Sequence, residues 1–187
     1  NTHLRLKQDI AVADGLNAEV RRLSLKNDMP VKKVAYYMDV ALNTYDGFNA
    51  HPVFNNLFIH TSFDESNKAV IFHKRSMQKE GDVYLAFVIR GLRNLKIETN
   101  RFNLLGRNGS EKNPLFLKDE QEEKLYPSLG DVLEPAVGIV GEFEDEKKEC
   151  QIITIIAESM EELEDYIRIL PDDFYSYCKE SSRMKYR

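Results

Sequence analysis

Val34-Ala-Tyr-Tyr-Met-Asp-Val-Ala-Leu42 is the stretch on which the fold class turns. Val34, Tyr36, Met38, Val40 and Leu42 fall on one side of an extended chain, and Ala35, Tyr37, Asp39 and Ala41 fall on the other. Strict alternation rich in β-branched and aromatic residues is the signature of a strand with one face buried. Upstream the same period recurs in Leu4, Leu6, Gln8, Ile10 and Val12, then after Asp14-Gly15 from Glu19 to Lys26, with Asn27, Asp28 and Pro30 as turn material. These segments predict an antiparallel meander. Downstream, beyond a break from Asn43 to Pro52, Val53 to Phe63 reads as a strand. Val53, Leu57, Ile59 and Phe63 share one side and Phe54, Phe58 and His60 the other, so it is expected to be sandwiched. Asp64 to Lys68 is a polar turn, and Ala69 to Arg75 is the second arm of a hairpin. Val83 to Arg90, Leu92 to Glu98, Val132 to Glu144 and Cys150 to Ala157 complete the strand set. About nine strands with no βαβ alternation predict a mainly β, antiparallel sandwich.

The end of the chain changes period. Ser159 and Glu162 have capping-box spacing, Met160, Leu163, Tyr166, Ile167 and Leu170 recur at helical intervals, and Pro171 stops the helix. Asp172 or Asp173 can cap a second helix, with Phe174, Tyr177, Cys178 and Ser181 on one face. The expected division is therefore residues 1–157 as sandwich and 158–187 as helices. A start at Asn1 without Met and a stop at Arg187 inside a helical pattern read as an excised domain.

A chain of 187 residues can bury one substantial core. Its net charge of -5, with Arg21, Arg22, Lys32, Lys33, Lys74 and Arg75 only as scattered pairs, argues against nucleic acid as a partner. Cys150 and Cys178 form no CxxC and no cluster, so a reduced, cytoplasmic chain is expected. Nothing resembles a signal peptide or a bilayer span. His3, His51, His60 and His73 lack metal-ligand spacing, and no metal site is expected. His60 and His73 lie on the two arms of the hairpin and read as an ordinary cross-strand pair, and His51 as a loop imidazole. No nucleophile sits in an activating motif. The acidic runs Asp119 to Glu123 and Glu142 to Glu149 read as solvated surface.

Between Glu98 and Val132 lie over thirty residues without usable periodicity, and loops of that length are usually functional. Thr99-Asn-Arg-Phe-Asn-Leu-Leu-Gly-Arg-Asn-Gly-Ser110, followed by Asn113, Pro114 and Leu115, combines two arginines, amides and glycines around an apolar knot. That mixture suits polyhydroxylated ligands. A weaker signal of the same kind surrounds Asn43 to Asn56, where Tyr45, Phe48, Phe54 and Phe58 alternate with Asp46, Asn49 and Asn55. Tyr36 and Tyr37 border it.

Glu19-Val-Arg-Arg-Leu-Ser-Leu-Lys-Asn27, His51-Pro-Val-Phe-Asn-Asn-Leu-Phe58, Glu98-Thr-Asn-Arg101, Leu105-Gly-Arg107, Asn113-Pro114 and Gly130-Asp-Val-Leu-Glu-Pro135 together resemble the amino-proximal domain of glycosyltransferase family 36, now glycoside hydrolase family 94. This family includes cellobiose and chitobiose phosphorylases and cyclic β-1,2-glucan synthases. The resemblance leans slightly to the synthase branch in His51 to Phe58 and Gly130 to Pro135. Leu105 stands where Phe is usual, and Asn100 where Asp is usual. The resemblance implies a β-supersandwich of galactose mutarotase-like fold, leading through helices into a catalytic (α/α)6 barrel of the same parent chain. The general acid lies in that barrel, and phosphate attacks there with inversion in place of water. It therefore implies an inactive fragment with no catalytic residue and no cofactor, inorganic phosphate being the parent's co-substrate. It implies as partners a β-linked oligosaccharide or glucan, the barrel, and a second copy in a homodimer. Arg101, Arg107 and Asn108 become candidate substrate-binding residues. The alternatives are an independent carbohydrate-binding module and a mutarotase-like sugar epimerase.

Overall fold

The computed structural model describes residues 5–26, 31, 33–42, 54, 56–75, 81–107, 109–118 and 129–185, with side chains as far as 182. Ten strands are present among them: β1 (Leu6–Val12), β2 (Ala18–Leu25), β3 (Lys33–Asp39), β4 (Ile59–Asp64), β5 (Ala69–Lys74), β6 (Val83–Arg90), β7 (Leu92–Asn100), β8 (Gly130–Asp131), β9 (Pro135–Phe143) and β10 (Glu149–Ala157). The helices are α1 (Arg101–Leu105), α2 (Met160–Ile169) and α3 (Phe174–Lys185). Every strand pair is antiparallel, in a seven-stranded sheet ordered β1-β2-β10-β6-β5-β4-β8 and a three-stranded sheet ordered β3-β9-β7. The chain is mainly β, with C-terminal helices.

Alternation along the central strands explains why the large sheet is buried on both faces. Val70, Phe72, Leu85, Phe87, Ile89 and Ile152 point to the small sheet and meet Leu92, Ile97, Val137, Ile139 and Phe143. Phe72 and Phe87 cross edge to face at 5.9 Å. The intervening residues Ile71, Val88, Ile153 and Ile155 point the other way and meet Leu163, Ile167, Phe174 and Cys178 of α2 and α3. Each such fully buried side chain contributes about 1.5–3 kcal/mol of transfer free energy. On that face Ala18, Ala69, Ala86 and Ala157 also lie in the cluster, small enough for helices to approach the sheet.

Both helices start where side chains satisfy free N–H groups. Ser159 accepts from the Glu162 N–H, and Glu162 reaches back to accept from the Glu158 N–H. Of the two acids offered for the second cap, Asp173 serves, taking the Ser176 N–H and hydroxyl. Gln151 of β10 donates to Asp173 and accepts from the Tyr175 N–H, which fixes α3 to the sheet. The buried face of α3 carries Tyr175 beside Phe174 and Cys178, whereas Tyr177, expected inside, is exposed.

Four further expectations need correction. β1, β2 and β3 are not one meander, because β3 leaves the large sheet to pair with β9. Val34, Tyr36, Met38, Val40 and Leu42 do all pack on the core, yet the strand ends at Asp39. Among the described residues of the segment expected to be a strand from Val53 to Phe63, the strand begins at Ile59, since Phe54 and Asn56 are helical, Leu57 and Phe58 form a turn, and Leu57 is exposed. Finally, the stretch after Glu98 is not structureless: β7 runs to Asn100, α1 follows at once, Leu115–Leu117 is a 3-10 turn, and β8 pairs with β4.

Candidate functional site

The outer face of the small sheet is where the loop residues come to rest. Glu98 folds one carboxylate oxygen back onto the Thr99 and Asn100 N–H groups, each at 2.9 Å, turning the chain sharply out of β7. Asn100 then caps α1 by accepting from the Phe102 N–H at 2.9 Å, a task its amide oxygen performs as a carboxylate would. Leu104 and Leu105 face inward with Ala136, Tyr37 and Phe116 around them. Leu104 lies over Gly138, where a Cβ would stand 2.0 Å from its Cδ2, so the helix sits as low as it does because β9 has no side chain there.

The turn after α1 also depends on glycine. Gly106 has φ +80°, and a Cβ on Gly109 would sit 1.6 Å from the Leu105 carbonyl oxygen. Asn113 donates its N–H to Ser110 O at 2.9 Å, and Pro114 leads into the 3-10 turn. The far end of the loop is stitched back. Val132 N–H meets Ile59 O at 3.0 Å, Asn56 Nδ2 meets Leu133 O at 2.9 Å, and Arg101 N–H meets Glu134 O at 2.8 Å. Under this seam, buried Thr61 and Thr99 share a hydroxyl contact at 3.0 Å, and Thr61 reaches Gly130 O at 3.3 Å.

These constraints fix two guanidinium groups beside an open depression of about 510 Å³ lined by Arg101, Phe102, Gly106, Arg107, Ser110 and Glu134 among others. Arg101 Nε lies 3.2 Å from Asp39 Oδ1, and the same carboxylate accepts from the Tyr37 hydroxyl. Burial, reinforced by the Asp39 carboxylate, pushes the Tyr37 phenol up to about 12. Arg107, in contrast, is exposed and has no hydrogen-bond or ion-pair partner among the described residues. Asn108 lies outside the described residues. Phe102, which carried no weight in the sequence, is 55% exposed between the two arginines. Asp39 was also unclaimed, and Tyr37 had entered only at the border of the weaker signal around Asn43 to Asn56; their own signal was a polar pair on the face of β3 opposite its apolar one.

The other sequence candidates are placed as follows. His60 and His73 face each other across β4 and β5, and each has its own carboxylate: His60 Nδ1 is 3.4 Å from Asp131 Oδ1, and His73 Nε2 is 2.7 Å from Asp82 Oδ2. His73 also stacks on Tyr84 at 4.3 Å. No group of potential metal ligands converges among the described residues. Phe54 and Phe58 pack edge to face at 5.6 Å. His3, Asn43, Tyr45, Asp46, Phe48, Asn49, His51, Val53 and Asn55 lie outside the described residues.

The family model for the glycosyl hydrolase 94 supersandwich domain matches residues 1–172, from before β1 through α2. The chain belongs to this family. None of the curated proteins compared with it matches. Among the described residues that carried the resemblance, several have structural work in this supersandwich domain: Glu98 turns the chain, Asn100 caps α1, Gly106 and Asn113 shape the turns, and Gly130 closes the seam on β4. Arg107 differs from these, for nothing among the described residues uses its charge. No helix among the described residues is long and apolar enough to cross a membrane.

Proposed function

We propose that this chain is the noncatalytic sandwich domain of a carbohydrate-active enzyme of the inverting phosphorylase or cyclic β-glucan synthase type, supporting a catalytic (α/α)6 barrel and contributing a substrate-facing loop. The observation that carries this reading is the contrast between the arginines: Arg101 is tied to Asp39, while Arg107 is held at the rim of the same depression with no partner among the described residues. A folded loop that spends two glycines and a helix cap to display an unpaired guanidinium is suited to recognition. Guanidinium N–H groups donate to sugar hydroxyls, and the ring of Phe102 offers a flat apolar surface for the C–H face of a pyranose. The ligand is a β-linked oligosaccharide or glucan, with Arg101, Arg107 and Asn108 binding it and the bond-breaking acid supplied by the barrel. Inorganic phosphate is the parent's co-substrate.

Release of a sugar 1-phosphate when the parent is given a β-linked oligosaccharide and phosphate tests the assignment; a gene encoding the sandwich with no barrel would overturn it. A second reading, an independent carbohydrate-binding module, is favoured by exposed Phe102 alone. It requires the isolated chain to bind glucan by itself. We place the protein in a reducing, cytoplasmic setting, because Cys150 and Cys178 are free and buried in cores on opposite faces of the large sheet.

A further inference from the structure

A second depression, of about 540 Å³, opens on the outer face of the small sheet and shares no lining residue with the one that holds Arg101 and Arg107. Ala35 and Val140, cross-strand neighbours on β3 and β9, give it an apolar lining together with Phe116 and Leu117, the latter 50% exposed. Around this surface stand Lys33, Lys96 and Lys118, with Asn94 beside them and no acid in the lining. The arginine depression, by comparison, includes Glu111 and Glu134. In a chain with 31 acidic and 26 basic residues, such a lining runs against the overall composition. Lys96 is held in place: its Nζ donates to Phe116 O at 3.0 Å and lies 4.8 Å from the centre of the Phe116 ring, which leaves a further N–H to donate. Lys33 and Lys118 are exposed and have no hydrogen-bond or ion-pair partner among the described residues. Lys33 sits opposite Glu142 across β3 and β9, but that carboxylate turns to β7, accepting from Asn94 Nδ2 at 3.1 Å and lying 3.8 Å from Arg93 Nε. Asn94 reaches it from the left-handed region, φ 50°, where the register of β7 on β9 is broken between Arg93 and Lys96. Irregularities of this kind cost local strain and recur where a strand has to aim side chains at a site.

We propose that this depression binds a small organic phosphate, with the phosphate group among Lys33, Lys96 and Lys118 and the carbon body against Leu117 and Val140. A phosphate monoester brings nearly two negative charges at neutral pH and three strong acceptor oxygens, one for each ammonium. A neutral ligand would leave three like charges facing one another across the depression, whereas a dianion offsets their repulsion. Ammonium groups act as point charges on flexible stems, so they close on a phosphate without needing the planar fork of a guanidinium. The volume falls within the range of about 300–1,000 Å³ typical of small-molecule sites. A polyanion such as a nucleic acid fits less well, because Asp39, Glu98 and Glu142 of the same sheet interrupt any basic stripe leading away from the lysines. The site needs nothing from the loop that carries Arg101 and Arg107, so it is independent of the function proposed above.

The test is isothermal titration calorimetry of the purified chain in low-salt buffer, with glucose 6-phosphate as the probe and glucose and inorganic phosphate as comparisons. Glucose 6-phosphate should bind saturably, at least about tenfold tighter than either comparison, and more weakly as salt is raised. Lys33→Ala and Lys118→Ala should each weaken it about fivefold to tenfold, and the double variant should bind it no better than glucose. Both lysines are exposed, so the thermal midpoints of these variants should stay at that of the parent chain. Lys96 is left in place because it also braces Phe116. Arg107→Ala should bind glucose 6-phosphate as the parent chain does. Absence of saturable binding, equally tight binding of glucose or of inorganic phosphate, full binding in the double lysine variant, or loss of binding in Arg107→Ala would each overturn the proposal.

Discussion

Gly138→Ala sets a methyl carbon 2.0 Å from Leu104 Cδ2 and 3.2 Å from its Cγ, so Leu104 has to leave its place and lift α1. Gly138 lies in a regular strand, opposite Tyr37 and Glu98, where an alanine is otherwise welcome and stabilises by about 0.4–1 kcal/mol through the unfolded chain. Overpacking costs about 1–3 kcal/mol. The expected net loss is about 1–2 kcal/mol. Leu104→Ala alone removes three carbons from a side chain that is 2% exposed, worth about 2–3 kcal/mol with its residual cavity. In the double variant the new methyl group enters the space the leucine vacates. The pair should then cost at least about 1 kcal/mol less than the sum of the singles. Urea unfolding followed by circular dichroism gives all four corners of the cycle. Additivity within about 0.5 kcal/mol, or a Gly138→Ala protein more stable than the parent, would refute the claim that Gly138 seats the loop.

Thr99→Val breaks the buried hydroxyl contact with Thr61 and should destabilise by about 1 kcal/mol in the same urea assay. Asp173→Ala removes the cap of α3 and should cost about 0.5–2 kcal/mol, read as a lower thermal midpoint. Because the Tyr37 phenol is raised to about 12 in the folded chain, its contribution to stability is complete below about 10 and is lost as pH climbs from there through about 12. Tyr37→Phe should flatten that alkaline decline; identical profiles would dismiss the assignment. Burial pushes the Cys150 thiol up to about 12 and raises that of Cys178, so neither should react with a thiol reagent until the chain unfolds, when both should.

The fold was most legible where one physical signal acted alone. β6 was bounded correctly because apolar alternation from Val83 to Arg90 is cut off by Gly91 at a turn with φ +76°. Alternation misled at Phe54 and from Asn56 to Phe58, where a tertiary bond, Asn56 Nδ2 to Leu133 O, ties a helical residue to chain far downstream. Sheet membership was not legible either, for nothing local in β3 says that its partner is β9. The rotation of α3 hinged on Gln151 and Asp173 acting together, and that choice put Tyr175 inside and left Tyr177 out. At the candidate site, arginines and glycines were visible as residue types. The division of labour between Arg101 and Arg107 was not, because it depends on Asp39 and Tyr37 arriving from another strand and on a five-residue helix too short to show a period.

That division of labour is the centre of the functional reading, and steady-state kinetics of the proposed parent enzyme on the β-linked glucan proposed as its ligand would test it most directly. Arg107→Ala should raise KM for the glucan about tenfold or more, the loss of roughly 1.4 kcal/mol or more of charge-assisted hydrogen bonding, with kcat nearly intact and the unfolding midpoint unchanged. Arg101→Ala should raise KM and also lower stability slightly through its contact with Asp39. Unchanged KM in both variants would contradict the account and leave the loop as structural packing on the small sheet.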